Sequence, residues 1–147
     1  MKRGTVLLGC LLFDLSVFAQ VQLNTSTKKV GDKKYEIHLM LTIEGGWHIY
    51  SCKQPADAIG LPTTVHFTKS PLWSFEGAIL EIGRSVKRRD PILDVESLIY
   101  SEKLELVQVM VLKPKVKTIV SGTITYMACT DEKCLPPETV RFSLPLH

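Results

Sequence analysis

Cys129 and Cys134 enclose four polar residues, Thr130-Asp131-Glu132-Lys133, and run directly into Leu135-Pro136-Pro137-Glu138. That spacing suits a hairpin tip, which can bring two Cα atoms within the roughly 4.4–6.8 Å that a disulfide tolerates. Pro136 and Pro137 restrict the chain just after the second cysteine and so fix its approach. Closing so short a ring contributes only about 2 kcal/mol by loop entropy, less than a long-range bridge. A local, exposed disulfide is a weak clamp but an accessible target for thiolate attack. Redox exchange is therefore one reading, and a purely structural bond in a binding or adaptor module is another. Zinc is a third, because it takes about four nitrogen or sulfur ligands. Its other candidates, Cys52, His38, His48 and His66, fall on separate segments with no second cysteine pair, so no metal is assigned. Asp131 and Glu132 oppose a thiolate and Lys133 favours one. Such tuning suits a thiol that becomes active on docking a partner.

The elements that must position this pair read as strands. Tyr35, Ile37, Leu39, Leu41 and Ile43 alternate with Glu36, His38, Met40 and Thr42, the period of two of a half-buried strand. Gly45-Gly46 breaks it, and Trp47-His48-Ile49-Tyr50 is expected to begin the next strand. Further candidates are Thr63–Thr68, Gly77–Ile82 and the Val- and Leu-rich Leu104–Leu112. Thr118–Ala128 turns Val120, Gly122, Ile124 and Tyr126 inward, and Val140, Phe142, Leu144 and Leu146 alternate to the end. Arg84–Ser97 is expected to be a long loop. No window shows a helical period with start and stop signals. About seven short strands separated by turn residues predict an all-β, immunoglobulin-like antiparallel β-sandwich.

Composition agrees with a single ordinary domain. The 147 residues are 45% hydrophobic and 22% charged, which excludes a disordered chain, and the net charge of +3 is too slight for nucleic acid. Lys2-Arg3, the apolar run Val6–Phe13 and Val17-Phe18-Ala19 predict a signal peptide over residues 1–19, cut before Gln20. Leu7-Leu8-Gly9-Cys10 offers a lipoprotein alternative, less favoured because it leaves only about four apolar residues before the cut. Nothing later approaches the run of about 18 apolar residues of a membrane helix. Residues 20–147 are then one exported domain with cysteines at 52, 129 and 134, in a compartment where disulfides persist. One pair and one free thiol, Cys52, is the simplest count.

The segment ACTDEKCLPPETVRFSLPL resembles the C-terminal end of the N-terminal periplasmic domain of the thiol–disulfide interchange protein DsbD. Tyr126, Cys129, Cys134, Leu135, Pro136, Pro137, Glu138 and Thr139 match that family's pattern in order, and Gly46-Trp47-His48-Ile49-Tyr50 resembles its aromatic segment. The resemblance implies an immunoglobulin-like sandwich whose cysteine pair carries electrons, an activity of thiol–disulfide oxidoreductase type needing no cofactor. It implies a thioredoxin-like domain or membrane reductase as electron donor and periplasmic thiol–disulfide proteins as acceptors. It makes Cys134 the sulfur that forms mixed disulfides and Cys129 its resolving partner. Tyr50, Tyr126, Leu93 and Pro136 become shielding or packing groups near the pair. The chain departs from the family in a shorter loop between the cysteines and in Ile92 and Leu93, where an aromatic cap is usual. It is read as a stand-alone exported domain, so its electron donor is expected to be a separate protein.

Overall fold

The computed structural model describes residues 19–113 and 117–146, all of them strands and turns. The signal-peptide and Cys10 readings fall on residues 1–18 and so lie outside the described residues. Ten strands follow in order: β1 (Val21–Lys29), β2 (Lys34–Ile43), β3 (Ile49–Tyr50), β4 (Thr64–Phe67) and β5 (Trp73–Ile82) come first. They are followed by β6 (Val86–Arg89), β7 (Glu96–Tyr100), β8 (Lys103–Leu112), β9 (Thr118–Tyr126) and β10 (Glu138–Leu146). They form a four-stranded sheet, β1-β2-β8-β5, and two three-stranded sheets, β10-β9-β4 and β3-β7-β6, with antiparallel pairing throughout.

Alternation decides the core. Along β2 the odd-numbered residues Tyr35 to Ile43 are all buried, while their even-numbered neighbours lie nearer the surface. Opposite them on β8, Leu104 and Leu106 pair in register with Leu41 and Leu39. Val120, Ile124, Tyr126, Phe142, Leu144 and Leu146 of the β10-β9-β4 sheet join the same hydrophobic cluster. Burying one apolar face of each sheet against the other is what makes this pairing a sandwich. β5 carries a bulge after Glu76 where Gly77 has φ 72°, and the buried Gln108 of β8 donates to the freed Gly77 carbonyl at 3.2 Å.

The expected elements change in four places. Arg84–Ser97 is not a loop: Val86–Arg89 and Glu96–Tyr100 pair as a hairpin. Asp90 turns it, its Oδ1 accepting from the Ile92 and Leu93 amides at 2.9 and 2.8 Å, with Asp94 in the left-handed region at φ 57°. β5 starts at Trp73, earlier than Gly77, and β3 is only Ile49–Tyr50, with His48 paired separately. β1 was absent from the expected strands because Thr25 and Thr27 continue its inward face with little apolar signal.

Candidate functional site

β9 ends at Tyr126, and the chain continues through Met127-Ala128 to Cys129 before β10 begins at Glu138. The Leu135 amide donates to the Ala128 carbonyl at 2.9 Å and the Thr130 amide to the Lys133 carbonyl at 2.7 Å. These two bonds flank an antiparallel bridge between Cys129 and Cys134 and set their Cα atoms 4.0 Å apart. A pair flanked in this way is not itself hydrogen-bonded, so its side chains stand close on the same side. The two sulfurs are joined as a disulfide. Thr130 tightens the tip, its Oγ1 accepting from the Glu132 and Lys133 amides at 3.2 and 3.1 Å.

The two cysteines differ in exposure. Cys129 keeps 1% of its surface, whereas Cys134 is exposed. On its other side Cys129 bridges His48, each amide donating to the other's carbonyl at 2.9 Å. His48, Tyr50, Arg88 and Asp131 line, with both cysteines, a hollow of about 260 Å³. A neighbouring hollow of about 360 Å³ shares Tyr50, Arg88 and Asp131 and extends to Pro91 and Ile92 of the β6–β7 turn. Arg88 Nη1 meets Asp131 Oδ1 at 2.7 Å, tying that hairpin to the cysteine loop. The pair is exposed, so it orients more than it stabilises, at about 0–1 kcal/mol. Lys133 lies over the Trp47 ring, its Nζ 5.8 Å from the centroid.

Of the expected supporting residues, Tyr50 stands in the hollow. Its ring packs over Gly60, which has φ +102°, and meets the His48 ring edge-on at 5.7 Å between centroids. Burial raises the Tyr50 hydroxyl above its ordinary pKa, and Arg88 partly opposes the shift. Tyr126 is buried and couples to Glu138, opposite it on β10. Burial first, and then that carboxylate, push its hydroxyl well up. Pro136 is exposed beyond the second cysteine, and Leu93 sits at the hairpin tip with 61% of its surface exposed, outside the lining of either hollow. Ile92, at 88% exposure, lines the neighbouring hollow and not the one that the cysteines line. The family match runs over residues 19–146 of the chain, to the model described as "Thiol:disulfide interchange protein DsbD, N-terminal". The chain belongs to this DsbD N-terminal family.

Solved structures share the fold of this DsbD N-terminal family member. The reduced DsbD N-terminal domain of Neisseria meningitidis matches with TM-score 0.50 at 15% identity, over 81% of this chain and 82% of that one. The N-terminal periplasmic domain of ScsB from Proteus mirabilis gives 0.55 at 14% identity, over 86% of this chain and 46% of that one. The complex between the DsbD and PilB N-terminal domains of N. meningitidis gives 0.51 at 13% identity, over 82% and 80%. No curated protein matches the sequence. Family membership makes this a thiol–disulfide exchange domain with Cys129–Cys134 as its disulfide.

The residues weighed for zinc are dispersed. His38 bonds Glu105 and Glu36, at 2.8 and 3.3 Å, and His66 lines a groove on the β10-β9-β4 sheet. Among the described residues no group of three or more His, Cys, Asp or Glu is gathered as a metal site. Cys52 is a half-buried free thiol beside Glu81. Burial, and then the charge of Glu81, push that thiol up to about 12. His48, in the sequence both a zinc candidate and part of the aromatic segment, stands next to Cys129. Its position beside Cys129 depends on a pairing between remote segments that no local pattern announces.

Proposed function

We propose that this domain relays reducing equivalents between protein partners, with Cys134 forming the mixed disulfide and Cys129 resolving it. The observation that carries the reading is the difference in access: Cys134 is open to solvent while Cys129 keeps 1% of its surface. Thiolate exchange needs an approach to the sulfur under attack, and only Cys134 offers one. The donor is a thioredoxin-like domain or membrane reductase, and the acceptors are periplasmic thiol–disulfide proteins. Residues 1–19 act as the export signal that brings the domain there. A structural role for the bond is disfavoured because backbone hydrogen bonds on both sides already hold the loop ends together.

Trapping with single-cysteine variants tests the assignment. Cys129→Ala accumulates a mixed disulfide with a thioredoxin-like partner, and Cys134→Ala forms none. Equal trapping by both variants overturns the division of roles. A reduction potential below about −300 mV, measured by thiol trapping in graded redox buffers, would instead mark a structural bond.

A further inference from the structure

His48, Cys129 and Cys134 form a row of consecutive cross-strand neighbours. His48 and Cys129 exchange both backbone hydrogen bonds, so they are directly opposed. Directly opposed residues project to the same side, with Cβ atoms about 4.5–5.5 Å apart. Cys129 is thus flanked on one side by its disulfide partner and on the other by an imidazole. His48 is itself buried, and it lines the hollow that both cysteines share. This row poses a chemical problem and supplies an answer. A buried resolving thiol is reluctant to ionise, because a thiolate loses more by desolvation than a thiol does. A neighbouring imidazole can remove that proton.

We propose that His48 is the acid–base partner of Cys129, accepting its thiol proton when Cys129 resolves the mixed disulfide at Cys134. The inference rests on the exchange reading above and deepens it. In the resolving step the Cys129 S–H proton passes to a neutral His48 nitrogen. The Cys129 thiolate attacks Cys134 Sγ, the Cys129–Cys134 bond forms and the bond from Cys134 to the partner sulfur breaks. The electron pair leaves with the partner sulfur as a thiolate, which takes up a proton from the His48 imidazolium or solvent. The domain is oxidised by two electrons and the partner reduced by two. In reverse, the imidazolium protonates the departing Cys129 sulfur. Burial first, then Arg88, lower the pKa of His48, while Asp131 opposes them, so the ring is neutral and able to accept at neutral pH. The groups around it are Tyr50 on its own strand segment, Arg88 on β6, Asp90 on the hairpin turn and Asp131, Glu132 and Lys133 on the cysteine loop.

The test uses reduced protein in a Cys52→Ser background, mixed with dithiobis(nitrobenzoate). Attack by Cys134 releases one coloured thiolate, and resolution by Cys129 releases a second. With His48 present, the second phase holds level through neutral pH and falls in acid. With His48→Gln it drops by about 100-fold at neutral pH, the usual scale of acid–base assistance, while the first phase keeps its rate. Free imidazole restores the second phase of His48→Ala, which a merely disturbed fold would not allow. An unchanged second phase, equal slowing of both phases, or failure of imidazole to rescue overturns the role of His48. Absence of a second release from the His48-containing protein overturns the exchange reading itself. NMR supplies an independent measurement: the His48 ring titrates differently in disulfide and dithiol forms, and identical titrations refute the proposal.

Discussion

Glu81, near the end of the edge strand β5, fastens the segment after β3 to the body of the sandwich. Its carboxylate accepts from Ser51 Oγ at 2.7 Å, the Cys52 amide at 2.6 Å and the Tyr100 hydroxyl at 2.9 Å. Glu81→Ala leaves two buried hydroxyls, at Ser51 and Tyr100, without that acceptor. An orphaned buried polar group costs about 1–3 kcal/mol, and the half-buried Cys52 amide can turn to water, so the expected loss is about 3 kcal/mol. For a domain of this size that lowers Tm by about 10 °C. Urea denaturation followed by Trp47 and Trp73 fluorescence measures the loss directly. Burial alone would raise the Glu81 pKa, but the hydrogen bonds from Ser51, Tyr100 and Cys52 outweigh it and hold it below its ordinary value. The unfolded chain therefore binds the proton more readily. The stabilisation is complete above the ordinary value of 4.5 and disappears as pH falls through the lowered folded value. The gap between wild type and Glu81→Gln narrows over the same range. A loss for Glu81→Ala below about 1 kcal/mol at neutral pH, or a Gln gap undiminished in acid, refutes the reasoning.

Gly60→Ala places a Cβ 2.3 Å from the Tyr50 ring in a left-handed backbone position, φ +102°. It is expected to cost about 2–4 kcal/mol in urea denaturation, and an unchanged midpoint would show that the ring is not seated there. Cys52, with its thiol pushed up to about 12, is expected to resist iodoacetamide at neutral pH. Mass-spectrometric mapping should find it labelled at least about 100-fold more slowly than a free cysteine, and equal labelling would contradict its assigned surroundings.

β2, β9 and β10 were legible because each packs one apolar face inward and shows a period of two, and β8 because it is dense in Val and Leu. β1 was not, since Thr25 and Thr27 carry its inward face with little hydrophobic contrast. The β6–β7 hairpin was missed because its first strand is Val-Lys-Arg-Arg, mostly exposed, and only Asp90-Pro91 signalled the turn. Glu81 carried no signal either, because its partners come from separate stretches of chain.

The Cys129–Cys134 pairing was determined by the sequence itself, since the two residues are close in the chain and two strongly patterned strands flank them. Which sulfur faces solvent, and what stands beside the buried one, was decided only by tertiary structure. Cys129 is buried where His48 bridges it from one remote segment, and Arg88 ties a second, the β6–β7 hairpin, to Asp131 two residues further on. Those contacts depend on how separate sheets pack, and burying apolar faces fixes that packing without leaving any local mark near the cysteines.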